Sequence, residues 1–101
     1  MATFVILTSK PGQFRTEIVD GLQPMESYDY SFCGRQRARF VIAQLIAPTK
    51  VRIVDETPPP VVNLVPTKFL EKFASLERAR RELEELASGA GGDAVLRKVP
   101  A

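Results

Sequence analysis

Glu26-Ser27-Tyr28-Asp29-Tyr30-Ser31-Phe32-Cys33-Gly34-Arg35-Gln36-Arg37-Ala38-Arg39-Phe40-Val41-Ile42-Ala43-Gln44-Leu45 is the stretch on which the fold turns. Its first part alternates with period two. Tyr28, Tyr30 and Phe32 share one face and Asp29, Ser31 and Cys33 the other, which is the pattern of a half-buried strand. Gly34 with Arg35, Gln36 and Arg37 supplies a turn. From Arg39 to Leu45 the chain is nearly continuously apolar, as expected of a central strand covered on both faces.

Working outward, Phe4–Leu7 and Phe14–Val19 read as two strands around Ser9-Lys10-Pro11-Gly12-Gln13, with Pro11-Gly12 at the centre of a type II turn. On the other side Pro48 and Thr49 break the central strand, and Lys50–Asp55 reads as a fifth. Short connections imply antiparallel neighbours. Beyond them Thr57-Pro58-Pro59-Pro60 can neither enter a helix nor donate to a ladder, so residues 57–66 are expected to form an extended polyproline-rich arm. Its second half, Val61-Val62-Asn63-Leu64-Val65-Pro66, is unusually apolar for a connector and calls for cover by its own domain or by a partner.

Thr67 is placed to cap a short turn carrying Phe69, Leu70 and Phe73, and Ser75 to cap the main helix from Leu76 to about Ala87, with Gly89 at its stop. Leu76, Ala79, Leu83 and Leu86 form the apolar stripe of that helix. Its other face carries the i, i+4 pairs Glu77–Arg81, Arg78–Glu82, Arg80–Glu84 and Arg81–Glu85, each worth a few tenths of a kcal/mol. Ala90-Gly91-Gly92 reads as a hinge, and residues 94–99 as either a late edge strand or a mobile tail.

The predicted fold is therefore α+β: a four- to five-stranded antiparallel sheet, a meander or a small partly closed barrel, packed with one C-terminal amphipathic helix. One domain spans 1–101, with a β-rich part (1–56), the arm (57–66), a helical part (67–88) and the tail (89–101). The expected core is Phe4, Ile6, Tyr28, Tyr30, Phe32, Phe40, Ile42, Val51, Ile53, Phe69, Phe73, Leu76, Ala79, Leu83 and Leu86.

Composition narrows the function. With 45% apolar and 26% charged residues over 101 positions, the chain can build one modest core without staples. It contains no His, no Trp, one Cys and one Asn, which removes most side chains that do chemistry near pH 7. A single Cys makes no internal disulfide, the apolar start has no basic region before it, and no run reaches the ~20 apolar residues of a spanning helix. The expectation is a cytoplasmic, unprocessed protein without membrane, metal or cofactor.

Cys33 and Arg39 stand at the spacing of a cysteine-phosphatase loop, but such a loop must lead into a helix, and Arg39 opens a strand-like run. Cys33 is thus expected as a small half-buried residue at a strand end. Pro58-Pro59-Pro60 lacks the P-x-x-P spacing of a peptide ligand, Gly89, Gly91 and Gly92 follow a helix instead of opening one, and Asp55-Glu56 lacks the spacing of a cation loop. Arg35, Arg37 and Arg39 alternate, so on a regular strand they form one cationic stripe, with Lys50 and Arg52 as neighbours on the next strand. Glu82, Glu84 and Glu85 crowd the helix end that the macrodipole makes unfavourable for anions, and that stripe or a basic partner is the expected counterpart.

The functional expectation is a non-catalytic accessory or adaptor protein, using Arg35, Arg37, Arg39, Arg52, Val61, Val62, Leu64 and Val65 to contact an acidic or apolar protein surface. The alternative is a small nucleic-acid-binding module built on the Arg stripe, with Tyr28, Tyr30 and Phe32 available for base stacking. An open sheet edge near Val95–Val99 would also suit a homodimer formed by strand addition.

Overall fold

The alternating stretch forms the middle of a four-stranded antiparallel sheet. In the computed structural model, which describes residues 2–89 and 92–100, the strands are β1 (Phe4–Ser9), β2 (Phe14–Glu17), β3 (Leu22–Phe32), β4 (Arg35–Leu45), β5 (Lys50–Asp55), β6 (Val62–Pro66) and β7 (Ala94–Val99). A 3-10 turn covers Thr67–Phe69, and the helix α1 spans Leu76–Gly89. β1-β4-β3-β7 make one sheet and β2-β5-β6 a second, with every pairing antiparallel. The α+β class and the single C-terminal helix stand as expected. The expected antiparallel sheet has four strands, and β2 and β5, instead of extending it, pair with each other in a second sheet.

The parting occurs at the turn after β1. Gln13 N–H donates to the Lys10 carbonyl at 2.9 Å and Gly12 has φ +79°, the left-handed position a type II turn requires. Beyond the isolated Lys10–Phe14 bridge, β1 and β2 are linked through side chains: the Thr16 amide donates to Ser9 Oγ at 2.8 Å, and the Thr16 hydroxyl to the Thr8 carbonyl. β3 and β4 are joined by a two-residue turn, Cys33-Gly34, with φ +52° and +77°. Both positions are left-handed, as the right-handed strand twist favours in a tight hairpin. Arg35 consequently already belongs to β4, and Cys33 is exposed at the tip, not half-buried.

The four-stranded sheet is covered on both faces. Toward the helix lie Phe4, Ala38, Phe40 and Ile42 with Ala79 and Leu83, flanked by Ile6, Tyr28, Tyr30, Phe73, Leu76 and Leu96. Toward the second sheet lie Val5, Leu7, Leu22 and Ala43 against Val51, flanked by Val19, Val41, Leu45, Ile53 and Leu70. Val5 and Leu7 join the core because β1 is sandwiched, whereas a single sheet would have left them on a wet face. Full burial of Leu83 alone is worth roughly 2–3 kcal/mol. Three expected core residues are not core: Phe32 is half-buried and joins neither cluster, Phe69 is 71% exposed, with the Lys68 ammonium 5.1 Å from its ring centre, and Leu86 is 46% exposed.

The arm is also different. Glu56–Pro59 bends, and the Asp55 amide donates to the Val61 carbonyl at 2.9 Å, closing a hairpin that turns residues 62–66 into β6. Thr67 does not cap the turn by its side chain: it is buried, and its hydroxyl accepts the Thr49 amide at 3.1 Å. Ser75 caps α1 as predicted, its Oγ accepting the Arg78 amide at 3.1 Å. Of the two readings of the tail, the strand forms: β7 pairs with β3 from Phe32–Ala94 to Ser27–Val99. The hinge assigned to Ala90-Gly91-Gly92 lies outside the described residues at its first two positions. Among the described residues no helix is long and apolar enough to cross a membrane.

Candidate functional site

Polar chemistry gathers along β3. Glu26 falls on the same face as Tyr28 and Tyr30, opposite Ile42 and beneath α1, and is only 5% exposed. Three elements supply its partners. The Tyr28 hydroxyl donates to Oε1 at 2.7 Å, Arg80 of α1 donates from Nε to Oε1 at 2.7 Å and from Nη2 to Oε2, and Lys98 Nζ of β7 donates to Oε2 at 3.1 Å. The Arg80 fork, supported by Tyr28 and Lys98, outweighs the cost of burial and holds the Glu26 carboxyl down at about 2. Burial, then the hydrogen bond to Glu26, raises the Tyr28 phenol, and the hydrogen bonds that Arg80 donates to Glu26 raise Arg80. Arg80 therefore turns to the sheet instead of to Glu84, and of the four i, i+4 pairs only Glu77–Arg81 comes within 4.0 Å. The readable signal was an acid in register with the aromatic face.

Asp29, 9% exposed, points from the opposite face. Its Oδ1 accepts Arg39 Nε at 2.8 Å and Gln36 Nε2 at 3.1 Å, and Arg97 Nη2 lies 3.8 Å from Oδ2. Asp29 raises the Arg39 guanidinium in return. Among the described residues no buried side-chain nitrogen or oxygen lacks a partner.

The arginine stripe does not form. Ser31 opposes Gln36 while Tyr30 opposes Ala38, so Arg37 is the extra residue of a β-bulge. An inserted residue shifts the alternation: Arg35 pairs with Phe32 on the aromatic face, and Arg39 pairs with Asp29 on the other. Arg37 lines a hollow with Lys10, Tyr30, Phe40 and Leu86. Glu82, Glu84 and Glu85 make no ion pair with Arg35, Arg37 or Arg39 among the described residues. Arg52 belongs to the second sheet, where its Nε lies 3.3 Å from Glu17 Oε1, and it does not neighbour the β4 arginines, because β5 pairs with β2 and β6 and not with β4.

The arm residues divide by register. Val65 opposes Val51 and is half-buried toward the first sheet. Leu64 opposes Arg52 and Val62 opposes Val54 on the outer face, and Val61, Val62 and Leu64 are exposed. Thus the structure brings Arg52, Val62 and Leu64 together and separates them from Arg35, Arg37 and Arg39. No group of three or more His, Cys, Asp or Glu side chains able to hold a metal occurs among the described residues. Comparison with family models, with curated proteins and with solved structures finds no match to this chain.

Proposed function

We infer that this chain is a non-catalytic adaptor that holds another protein by adding an extended apolar segment to the free edge of β6. The observation that carries the reading is the phase of that edge. The Asp55–Val61 and Thr67–Thr49 backbone hydrogen bonds, both 2.9 Å, turn the odd-numbered residues of β6 toward β5. The alternation of an antiparallel ladder then directs the N–H and C=O groups of Val62 and Leu64 outward. Leu64 is 56% exposed, so both main-chain groups and apolar side chain are offered at one place. Pro66 has no N–H and ends the edge, which limits the added strand to a short segment and disfavours open-ended stacking.

A photoreactive residue at position 64, introduced in the native cell, is expected to capture one defined chain, while the same probe at Glu77 on the exposed face of α1 captures none. Leu64→Lys is expected to abolish the complex without unfolding the domain. Equal capture at both positions, or recovery of only the uncoupled chain, overturns the reading. The second reading, a nucleic-acid module, is supported by Arg35 and Arg37, which are exposed and hold no ion pair among the described residues. It requires oligonucleotide binding at ~50 mM salt that falls steeply as salt rises and is lost in Arg37→Glu.

A further inference from the structure

Of the hollows lined by the described residues, four are well formed, and three of these are accounted for by their own side chains. One sets Lys72, Arg78 and Arg81 against Glu71, Glu82 and Glu85. A second is an apolar cleft between β1 and the second sheet, without a charged group. A third contains Arg15 and Arg39, already engaged by Glu17 and Asp29. The fourth, about 460 Å³, differs: its floor is apolar, its rim is cationic and no acidic side chain lines it. That volume is within the range of small-molecule sites.

The floor is built by the buried Ala38 and Phe40 and by Tyr30, whose ring meets Phe40 edge-on with centroids 6.1 Å apart. Leu86, left half exposed where α1 runs out over the sheet, forms a wall. Lys10 from the turn after β1 and Arg37 from the bulge line the same hollow, and neither holds an ion pair among the described residues. The bulge is the device that places Arg37 there, since it breaks the alternation that would otherwise bind Arg37 to the facing strand's register.

We propose that this hollow binds a small organic acid: a carboxylate carried on an aromatic or branched hydrocarbon body. The hydrocarbon covers Phe40, Ala38 and Tyr30 against Leu86, and the carboxylate lies in the planar fork of Arg37, with the Lys10 ammonium as a second positive charge. The inference is independent of the β6 edge, which lies on the other sheet.

The test is titration with 2-naphthoate, followed by backbone amide shifts, with the uncharged 2-naphthamide as its isosteric control. Saturable binding is expected with a Kd of roughly 0.1–1 mM, reported by the amides of Lys10, Arg37 and Leu86. Arg37→Gln is expected to weaken it about tenfold and Leu86→Gln several-fold, with Arg35→Gln unchanged; all three positions are exposed enough for far-UV circular dichroism to stay native. Absence of saturation by ~5 mM, equal binding of the amide, or an unchanged affinity in Arg37→Gln overturns the proposal.

Discussion

Glu26 and Asp29 stand three residues apart on one strand, are both buried, and are solved differently. Glu26 faces the helix, and its partners come from α1, β7 and its own strand, so one carboxylate ties together segments separated by up to 72 residues. Asp29 faces away from the helix, and its partners Arg39 and Arg97 have side chains 51% and 75% exposed, against 42% and 61% for Arg80 and Lys98. What the difference teaches is that burial of the acid alone does not set the strength of a pair. The number and geometry of its donors do: among the described residues Glu26 receives four hydrogen bonds, two of them from the Arg80 fork, whereas Asp29 receives two, from Arg39 and Gln36.

The comparison breaks most visibly at Glu26. Glu26→Gln is expected to lower unfolding stability by about 2 kcal/mol in urea titrations, since the Arg80 fork and Lys98 lose their charged acceptor while their own part exposure limits the cost. The acid limb has a definite sign. A carboxyl held at about 2 in the folded chain and at an ordinary value of 4.5 in the unfolded one adds stability above 4.5, and that contribution is lost as pH falls from 4.5 toward 2. Linkage sets about 3 kcal/mol as its ceiling, and the partly solvated Arg80 and Lys98 reduce it. The gap between the parent chain and Glu26→Gln should therefore be constant above about pH 5 and close between pH 4.5 and 2. A gap independent of pH would remove Glu26 as the titrating group.

Asp29→Asn sharpens the contrast from the weaker side, with an expected loss of about 1 kcal/mol in the same titration. A loss as large as that of Glu26→Gln would show that the two sites are equivalent after all. Arg80→Met should raise the Glu26 carboxyl toward its ordinary value in an NMR titration, whereas Arg97→Met leaves it in place. Arg81→Ala removes only a 4.0 Å pair on the outer face of α1, and a change of no more than about 0.5 kcal/mol is expected.

Much of the fold was legible where local periodicity carries the information. The alternation through Tyr28, Tyr30 and Phe32 marks β3, the Leu76–Ala79–Leu83 stripe marks the buried side of α1, and Ser75 marks its start. The second sheet was not legible. Lys50–Asp55 reads as a strand from its own residues, but nothing local says that it pairs with β2 and β6 and leaves β4 alone. The bulge at Arg37 escaped for the same reason: an extra residue is defined only by the strand opposite, and it sends Arg39 to a different face from Arg35. Arg80 shows the competition most plainly, since Glu84 is four residues away on the same helix and Glu26, 54 residues away, takes it.

By itself the amino-acid sequence determined the secondary structure of most segments, the antiparallel habit imposed by short turns, and a chemistry poor in groups that act near neutral pH. The tertiary structure decided which faces those segments turn to one another: two carboxylates enclosed along β3, a divided set of arginines, an apolar strand left at an edge, and a cation-rimmed hollow beside the helix end. The physical reason is one of range. Propensity and periodicity act over a few residues, whereas register, bulges and the pairing of buried charges are fixed only when strands distant in the chain come together around a shared core.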